Sequence, residues 1–555
     1  MSRSVPVLPF ALLAASLCAP STAQELKGRV WTHEKFGIKM TIPDGFSVVP
    51  LQIDEQWIAA KFLSEKTYLS KDKEWNHEHK PLLRVIVFTE KAKQGTGVEK
   101  HEKDDGSTFI GIGAVPYQGY RDYVKRHRSG FFFSKEEEDK VGGEDCLMCE
   151  VDVHKGEPKL HLYSVVFRRP TYEVAVEMEV LEDRRDQLEK IALKVIDSLR
   201  FKEGVAETTA AVTGAGKSTS TRLWSAFREE WRKRPSLERA EIRKQMEADH
   251  HKAVRAKTPS DWTIEESKHF LVVSHADERF TKRMVDGAET FYSWCEKEFG
   301  KLGDDYVRRP VLRLCKDFDE YKAFHFDSSN TTGWSLAGAD TEIGTYWDDY
   351  NGSSGRDVSI MFDDILLHYL QEMDTHIVAY TPYWLSFALD DYVGSAFIKG
   401  RKVEFKVDDY VRDESRNMQR EGKLPDLRKV LEMDADAFLA QMKVDSRSDY
   451  AATQALRYVL GPGQREKPFK EFLQRYFKAV VAVADKHAGD WKSMDTRSAQ
   501  TEEEEEQQAK DYSSRTKERR KQLQKEINEM VLNEIDEKAW EKYEKAFQAF
   551  VRAGK

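Results

Sequence analysis

The sequence predicts an α+β protein in which an antiparallel-sheet domain is followed by a mainly helical domain with a small N-terminal sheet. Three observations predict it. Short segments alternating apolar and polar side chains crowd the first part of the chain, and longer segments with helical periodicity dominate from Phe280 onward. Between them Glu203 to Ser220 is poor in large apolar side chains and rich in Thr, Ala, Gly and Ser, the composition of a flexible linker.

At the N-terminus Arg3 precedes an almost uncharged apolar stretch from Val5 through Leu17 to Pro20, which ends in the small residues Ser21, Thr22 and Ala23. That layout predicts a secretory signal peptide over residues 1–23, with cleavage before Gln24 and an exported, periplasmic or extracellular product. A membrane anchor needs roughly 20 consecutive apolar residues, and this stretch is shorter and broken by Pro9 and Pro20. Leu17, before Cys18, is larger than the small residue a lipidation site takes there.

Residues 27–202 read as the sheet domain. Phe36-Gly-Ile-Lys-Met-Thr-Ile42 alternates and stops at the turn Pro43-Asp-Gly45; Leu82 to Phe88 and Leu160 to Phe167 read as buried strands. A last strand, Tyr172 to Met178, leads into a helix from Asp183 to Leu199. The opening strand with Pro43-Asp-Gly-Phe46, and the closing helix with Ile196-Asp-Ser-Leu-Arg-Phe201, resemble the PsbP-like domains. That resemblance implies an antiparallel sheet flanked by helices that acts by binding, and it supplies no catalytic residues.

Cys146 and Cys149 form a CxxC, a spacing used for redox chemistry or half a zinc site. They lie on an alternating segment, Cys146 to Val153, so the two thiols point to opposite faces. Ordinary core residues or a single structural disulfide are the expected roles for Cys146, Cys149, Cys295 and Cys315. In the linker, Gly214-Ala-Gly-Lys-Ser-Thr219 imitates a phosphate-binding loop, but Ala211 stands where GxxxxGK[ST] needs Gly and no buried strand precedes it.

Residues 203–261 combine this linker with charged bracing helices, marked by Trp224, Phe227 and Trp231 at helical spacing. Residues 482–555 form a charged helical tail. Its acidic run Glu502 to Glu506 and following basic stretch read as solvated faces or a mobile tail, while Trp540 to Phe550 reads as a helix packed back on the preceding domain.

In residues 262–481 the order of elements becomes specific. His269 to Ser274 is a strand, Phe280 to Phe299 a helix and Pro310 to Cys315 a strand; an irregular stretch spans Gly333 to Gly355. An apolar helix then runs from Val358 to Met373, followed by Pro382-Tyr-Trp-Leu-Ser-Phe-Ala-Leu-Asp-Asp-Tyr392 and by helices over Tyr450 to Leu460 and Phe469 to Phe477. This progression resembles the gluzincin-like peptidase domains of secreted bacterial proteins, in the peptidase MA clan. Such domains place His-Glu-x-x-His on a buried helix, because residues four apart share a face and both imidazoles reach one zinc. A third ligand, Glu, follows within Pro-x-Trp-Leu-x-Glu-Gly-x-Ala-x-Tyr.

Laid on this chain, the resemblance puts the second His at His368 and the first at Asp364. The water-activating Glu falls on Ile365 and the third ligand on Phe387, while Pro382, Trp384, Leu385, Leu389 and Tyr392 fit the second pattern. Asp391 stands where the family has an acid that orients the first His. Ile365 cannot move a proton and Phe387 offers no lone pair, so no catalytic residue, metal ligand or cofactor is expected. Asp364, His368, Glu372 and His376 recur every four residues, but three ligands along one straight helix span about 12 Å, too far to meet at one ion. His368 hydrogen-bonded to Asp391 or Asp364 is the expected arrangement.

The implied function is that of a pseudopeptidase binding a peptide or protein outside the cytoplasm. Its cleft is expected to be lined by His368, Trp384, Phe387, Asp391 and Tyr392, with Tyr346 and Trp347 nearby. A divergent metallohydrolase with other ligands, or an envelope scaffold, are the alternatives. With 33% charged residues and a mean hydropathy of −0.66 no later segment spans a bilayer, and the net charge of −9 forms no basic face for nucleic acid.

Overall fold

The segments with a period of two form strands and those with a period of 3.6 form helices, and each buries the face that its period makes apolar. A computed structural model of the chain describes residues 24–51, 57–71, 77–89, 100–102, 108–110, 117–128, 130–154, 158–169, 172–202, 234–300, 306–324, 342–347, 357–487 and 502–554. The expected leader, the linker Glu203 to Ser220, and Trp224, Phe227 and Trp231 lie outside the described residues.

The N-terminal strands are β1 (Gln24–Lys27), β2 (Val30–His33), β3 (Ile38–Thr41), β4 (Phe46–Val49), β5 (Ile58–Ser64), β6 (Tyr68–Leu69), β7 (Glu78–His79), β8 (Leu82–Thr89), β9 (Lys100–Glu102), β10 (Thr108–Ile110), β11 (Phe131–Val141), β12 (Glu144–Val153), β13 (Leu160–Arg168), β14 (Tyr172–Leu181) and β15 (Arg200–Phe201). They are joined by helices α1 (Tyr120–His127) and α2 (Arg185–Asp197). Seven strands make one antiparallel sheet in the order β11-β12-β13-β14-β8-β5-β4; β1, β2, β3 and β15 make a smaller one. The smaller sheet and α2 cover one face of the large sheet, where Met40, Phe62, Val165, Val176 and Leu188 pack. On the other face α1 packs Tyr123 and Val124 against Ile86, Val151 and Val166. Cover on both faces is why β8 and β13 read as continuous apolar runs.

Cys146 belongs to the first of these cores and Cys149 to the second, as their spacing on β12 requires. All four described cysteines are free and buried, and burial raises the Cys149 thiol to about 12. The charged run Ser134 to Lys140, which carries no apolar strand signal, is the sheet's edge strand β11. Charges on an edge discourage pairing with another chain, so composition there reports edge position and not coil.

The helical part contains α3 (Ser236–Lys257), β16 (Thr263–Glu266), β17 (Leu271–Ser274), α4 (Glu278–Phe299), β18 (Val311–Cys315), α5 (Phe318–Phe324), β19 (Glu342–Tyr346), α6 (Phe362–Met373), α7 (Thr375–Tyr380), α8 (Tyr383–Gly394), β20 (Ala396–Lys399), β21 (Lys402–Phe405), α9 (Asp409–Arg420), α10 (Leu427–Glu432), α11 (Ala435–Val444), α12 (Ser448–Leu460), α13 (Phe472–Lys486), α14 (Glu502–Leu532) and α15 (Glu537–Ala553). β16 runs antiparallel to β17, while β17, β18 and β19 are parallel. β19 corrects the expectation of irregular chain from Gly333 to Gly355: only Ile343 and Thr345 are buried on it, too short an alternation to stand out beside Gly344.

Leu523, Ile527 and Val531 of α14, and Trp540, Phe547 and Val551 of α15, share one core with α4, α6, α8, α12 and α13. The charged tail sequence thus includes the polar face of a packed helix. Gly287 lets α4 approach the turn before α6, since a Cβ there would lie 2.5 Å from Val358 Cγ2. Between the two parts, Ala323 and Phe324 of α5 pack with Val49, Leu63 and Leu82. Lys61 of β5 is fully buried and donates to the Ala323 and Phe324 carbonyls at 3.0 and 3.3 Å, placing a cation at a helix C-terminus where it is favourable. Among the described residues no helix is long and apolar enough to cross a membrane.

Candidate functional site

The helix α6 carries the positions that matter most. Ile365 is 0% exposed and lies in the core of the helical part. His368 is 2% exposed, and its Nε2 donates to the Arg308 carbonyl at 3.0 Å, in place of the expected bond to Asp391 or Asp364. Nδ1 is buried with no partner. Burial, with Arg308 and Arg243 nearby, holds the imidazole pKa down at about 4 against the opposing pull of Glu372.

One turn on, Glu372 is enclosed by two arginines. Arg308 donates through Nη2 at 2.8 Å and through its backbone N–H at 3.0 Å, and Arg243 of α3 donates through Nη2 at 2.8 Å. Burial opposes its ionisation, but the two guanidinium groups outweigh that and hold its pKa at about 2. A neighbouring set repeats the pattern, with Arg309 Nε on Glu247 of α3 at 2.9 Å and His251 Nε2 on the Arg309 carbonyl at 3.1 Å. The bracing helix α3 therefore fastens the segment Tyr306–Arg309 onto α6, and His368 and Glu372 are part of the fastening. His376 does not continue this face. The helix breaks at Asp374, whose carboxylate accepts the His376 N–H at 2.8 Å and caps α7.

The low His368 pKa gives an expected pH response. A histidine with an unfolded pKa near 6.5 and a folded pKa of about 4 lets the unfolded chain bind a proton that the folded chain refuses. Its contribution is full above pH 6.5 and is lost as pH falls to 4, by roughly 3 kcal/mol at 1.36 kcal/mol per unit. His368→Gln keeps a donor for the carbonyl and removes the titration. The difference in melting temperature between the native chain and this variant should change steadily between about pH 7 and pH 4.5; a constant difference would mean that His368 is hydrated.

The carboxylates Asp363, Asp364, Asp390 and Asp391 gather where α6 begins and α8 ends. Desolvation pushes Asp364 up to about 7, and desolvation with the charges of Asp390, Asp364 and Asp391 does the same to Asp363. Asp391 accepts from Thr453 Oγ1 at 2.7 Å, and among the described residues no imidazole is hydrogen-bonded to it. Among the described residues, no three His, Cys, Asp or Glu side chains are placed to hold one metal ion.

The five residues expected to line one cleft are dispersed. His368 and Trp384 are enclosed, Trp384 at 0% exposure against Tyr476. Phe387 is 43% exposed beside Phe438, and Tyr392 stacks on Phe405 at 4.1 Å. Tyr346 packs between Phe318 and Tyr321, and Trp347 leans on the core. Trp384, Phe387 and Asp391 share one face of α8 by their spacing, but they differ in depth, Trp384 being enclosed while Phe387 reaches solvent. Beside Tyr383, one turn before Phe387, a recess bounded by Ala435, Leu439 and Arg520 measures about 30 Å³, room for a single water. Arg243 and Arg308 gave no sequence signal, because they come from elements 129 and 64 residues away from Glu372.

No protein-family model matches the chain, and no curated protein sequence does. Its structure is similar to that of cyanobacterial PsbP (CyanoP) from Synechocystis sp. PCC 6803, at 13% identity and a TM-score of 0.21 over 33% of this chain and 97% of that one. It is similar to LpqN of Mycobacterium tuberculosis, a protein involved in cell envelope biogenesis, at 14% identity and a TM-score of 0.19 over 29% of this chain and 79% of that one. A protein of unknown function from Pseudomonas aeruginosa, described as a putative regulator, is similar at 10% identity and a TM-score of 0.18, covering 30% of this chain and 92% of that one.

Proposed function

We propose that this protein is exported and works by noncatalytic binding of a peptide or protein segment, its helical part being a zinc-peptidase framework that has lost its chemistry. One observation carries the reading. The positions where the resemblance requires ligands and base are already used by the fold: Ile365 fills the core, His368 Nε2 is bonded to a backbone carbonyl, and Phe387 packs beside Phe438. A residue committed to folding contacts cannot also exchange a metal, a water and a substrate without breaking them. Export rests on the N-terminal apolar stretch and its small-residue end.

Three measurements on the full chain test this. Zinc should leave its melting temperature unchanged, a peptide library should emerge intact, and some members of that library should be retained on the protein. Zinc-dependent stabilisation that His368→Ala abolishes, or cleavage of any library member, would overturn the proposal.

A further inference from the structure

On the far side of α8 from Phe387 lies Arg457 of α12, which is half-buried and has no hydrogen-bond or ion-pair partner among the described residues; its Nε is buried. Its guanidinium carbon sits 5.9 Å from the centre of the Tyr392 ring. The other arginines of the described residues that are withdrawn from solvent have partners, as Arg243 and Arg308 have Glu372 and Arg313 has Glu342. Desolvation lowers the Arg457 pKa, and no carboxylate acts to raise it.

The surroundings form a shelf. Tyr392 stacks on Phe405 with the rings 15° apart, and Trp294 of α4 lies 5.2 Å from Phe405. All three rings are half-buried, one side against the core. Glu298, one turn beyond Trp294, is likewise half-buried and has no ion pair among the described residues; burial raises its pKa, and its charge reaches Tyr392. A guanidinium and a carboxylate therefore flank the same aromatic surface without neutralising each other. Arg457 Nε is withdrawn from water without a partner among the described residues, while its terminal nitrogens and the Glu298 carboxylate stay open to a ligand.

We propose that this shelf binds the C-terminal carboxylate of a peptide whose last side chain is apolar, a site that gives the noncatalytic reading above its ligand class. The planar guanidinium of Arg457 matches a carboxylate through two parallel N–H donors, as a spherical cation would not. The last side chain lies on Tyr392 and Phe405, and Glu298 accepts a backbone N–H further up the peptide, which sets its direction.

The test uses the full chain and a fluorescein-labelled Gly-Ala-Gly-Phe peptide, as the free acid and as the C-terminal amide, with binding read by fluorescence anisotropy. The acid should bind about tenfold or more tighter than the amide. Arg457→Gln should erase that difference with little change in melting temperature, since the arginine it removes has no hydrogen-bond or ion-pair partner among the described residues. If the Gln variant fails to fold, Arg457→Lys decides, because it keeps the charge, loses the fork and should lose most of the preference. Equal affinity for acid and amide, or a preference that survives both substitutions, overturns the site and leaves the noncatalytic reading standing. Competition by inorganic phosphate as strong as by N-acetylphenylalanine overturns the carboxylate assignment. Cleavage of the peptide overturns the noncatalytic reading, while the ratio of acid to amide affinity still decides the site.

Discussion

Glu372→Ala is expected to destabilise the helical part by about 3–5 kcal/mol, the loss typical of breaking a buried ion pair by removing one partner. The carboxylate is 6% exposed and is shared by Arg308 and Arg243, so its removal takes the acceptor from the Arg308 guanidinium and N–H, while Arg243 keeps the backbone carbonyl of residue 372 at 2.9 Å. Because the chain has more than one core, a single unfolding free energy is not the right readout. Hydrogen exchange across α6 and α3 is, and protection should fall in both helices together while the β13 and β14 amides keep theirs. Glu372→Leu with Arg308→Met should recover part of the loss, since apolar replacement removes the stranded charge along with its partner. Acid should act in the same direction. With the folded pKa at about 2 and the unfolded value at 4.5, the stabilisation is complete above pH 4.5 and disappears as pH falls through 2. Loss of less than about 1 kcal/mol in Glu372→Ala would place the network in water and remove α3 as a brace.

Ile365→Glu and Phe387→Glu are expected to behave very differently, although the resemblance gives both positions a catalytic carboxylate. Ile365 is wholly enclosed, so a glutamate there loses hydration with no ion or donor in return; the expected cost is several kcal/mol, with the carboxyl driven toward its neutral form. Phe387 is 43% exposed beside Phe438, so its replacement should cost about 1 kcal/mol. Thermal melting of the two variants distinguishes them directly. Asp364→His, Ile365→Glu and Phe387→Glu together should gain no stability from zinc, since His368 Nε2 remains on the Arg308 carbonyl. A rise in melting temperature with zinc in that triple variant would show that the carbonyl bond yields and that the peptidase geometry is intact.

The sequence by itself determined many of the longer elements, because their periods are local properties. Leu82 to Thr89, Leu160 to Arg168, Glu278 to Phe299 and Ser448 to Leu460 stand where alternation or helical spacing placed them, and the Cys146–Cys149 spacing correctly separated the thiols. It also identified α6 and α8 as the helices to inspect. Sequence reading failed where a segment's partners decide its form: Glu342–Tyr346 becomes a strand by pairing with Val311–Cys315, and the Ser134 to Lys140 charge run becomes one at a sheet edge. What His368 and Glu372 do was likewise decided only by tertiary structure. Their acceptor and donors arrive from Arg308 and Arg243, and a hydrogen bond between distant parts of a chain leaves no periodic trace along either one.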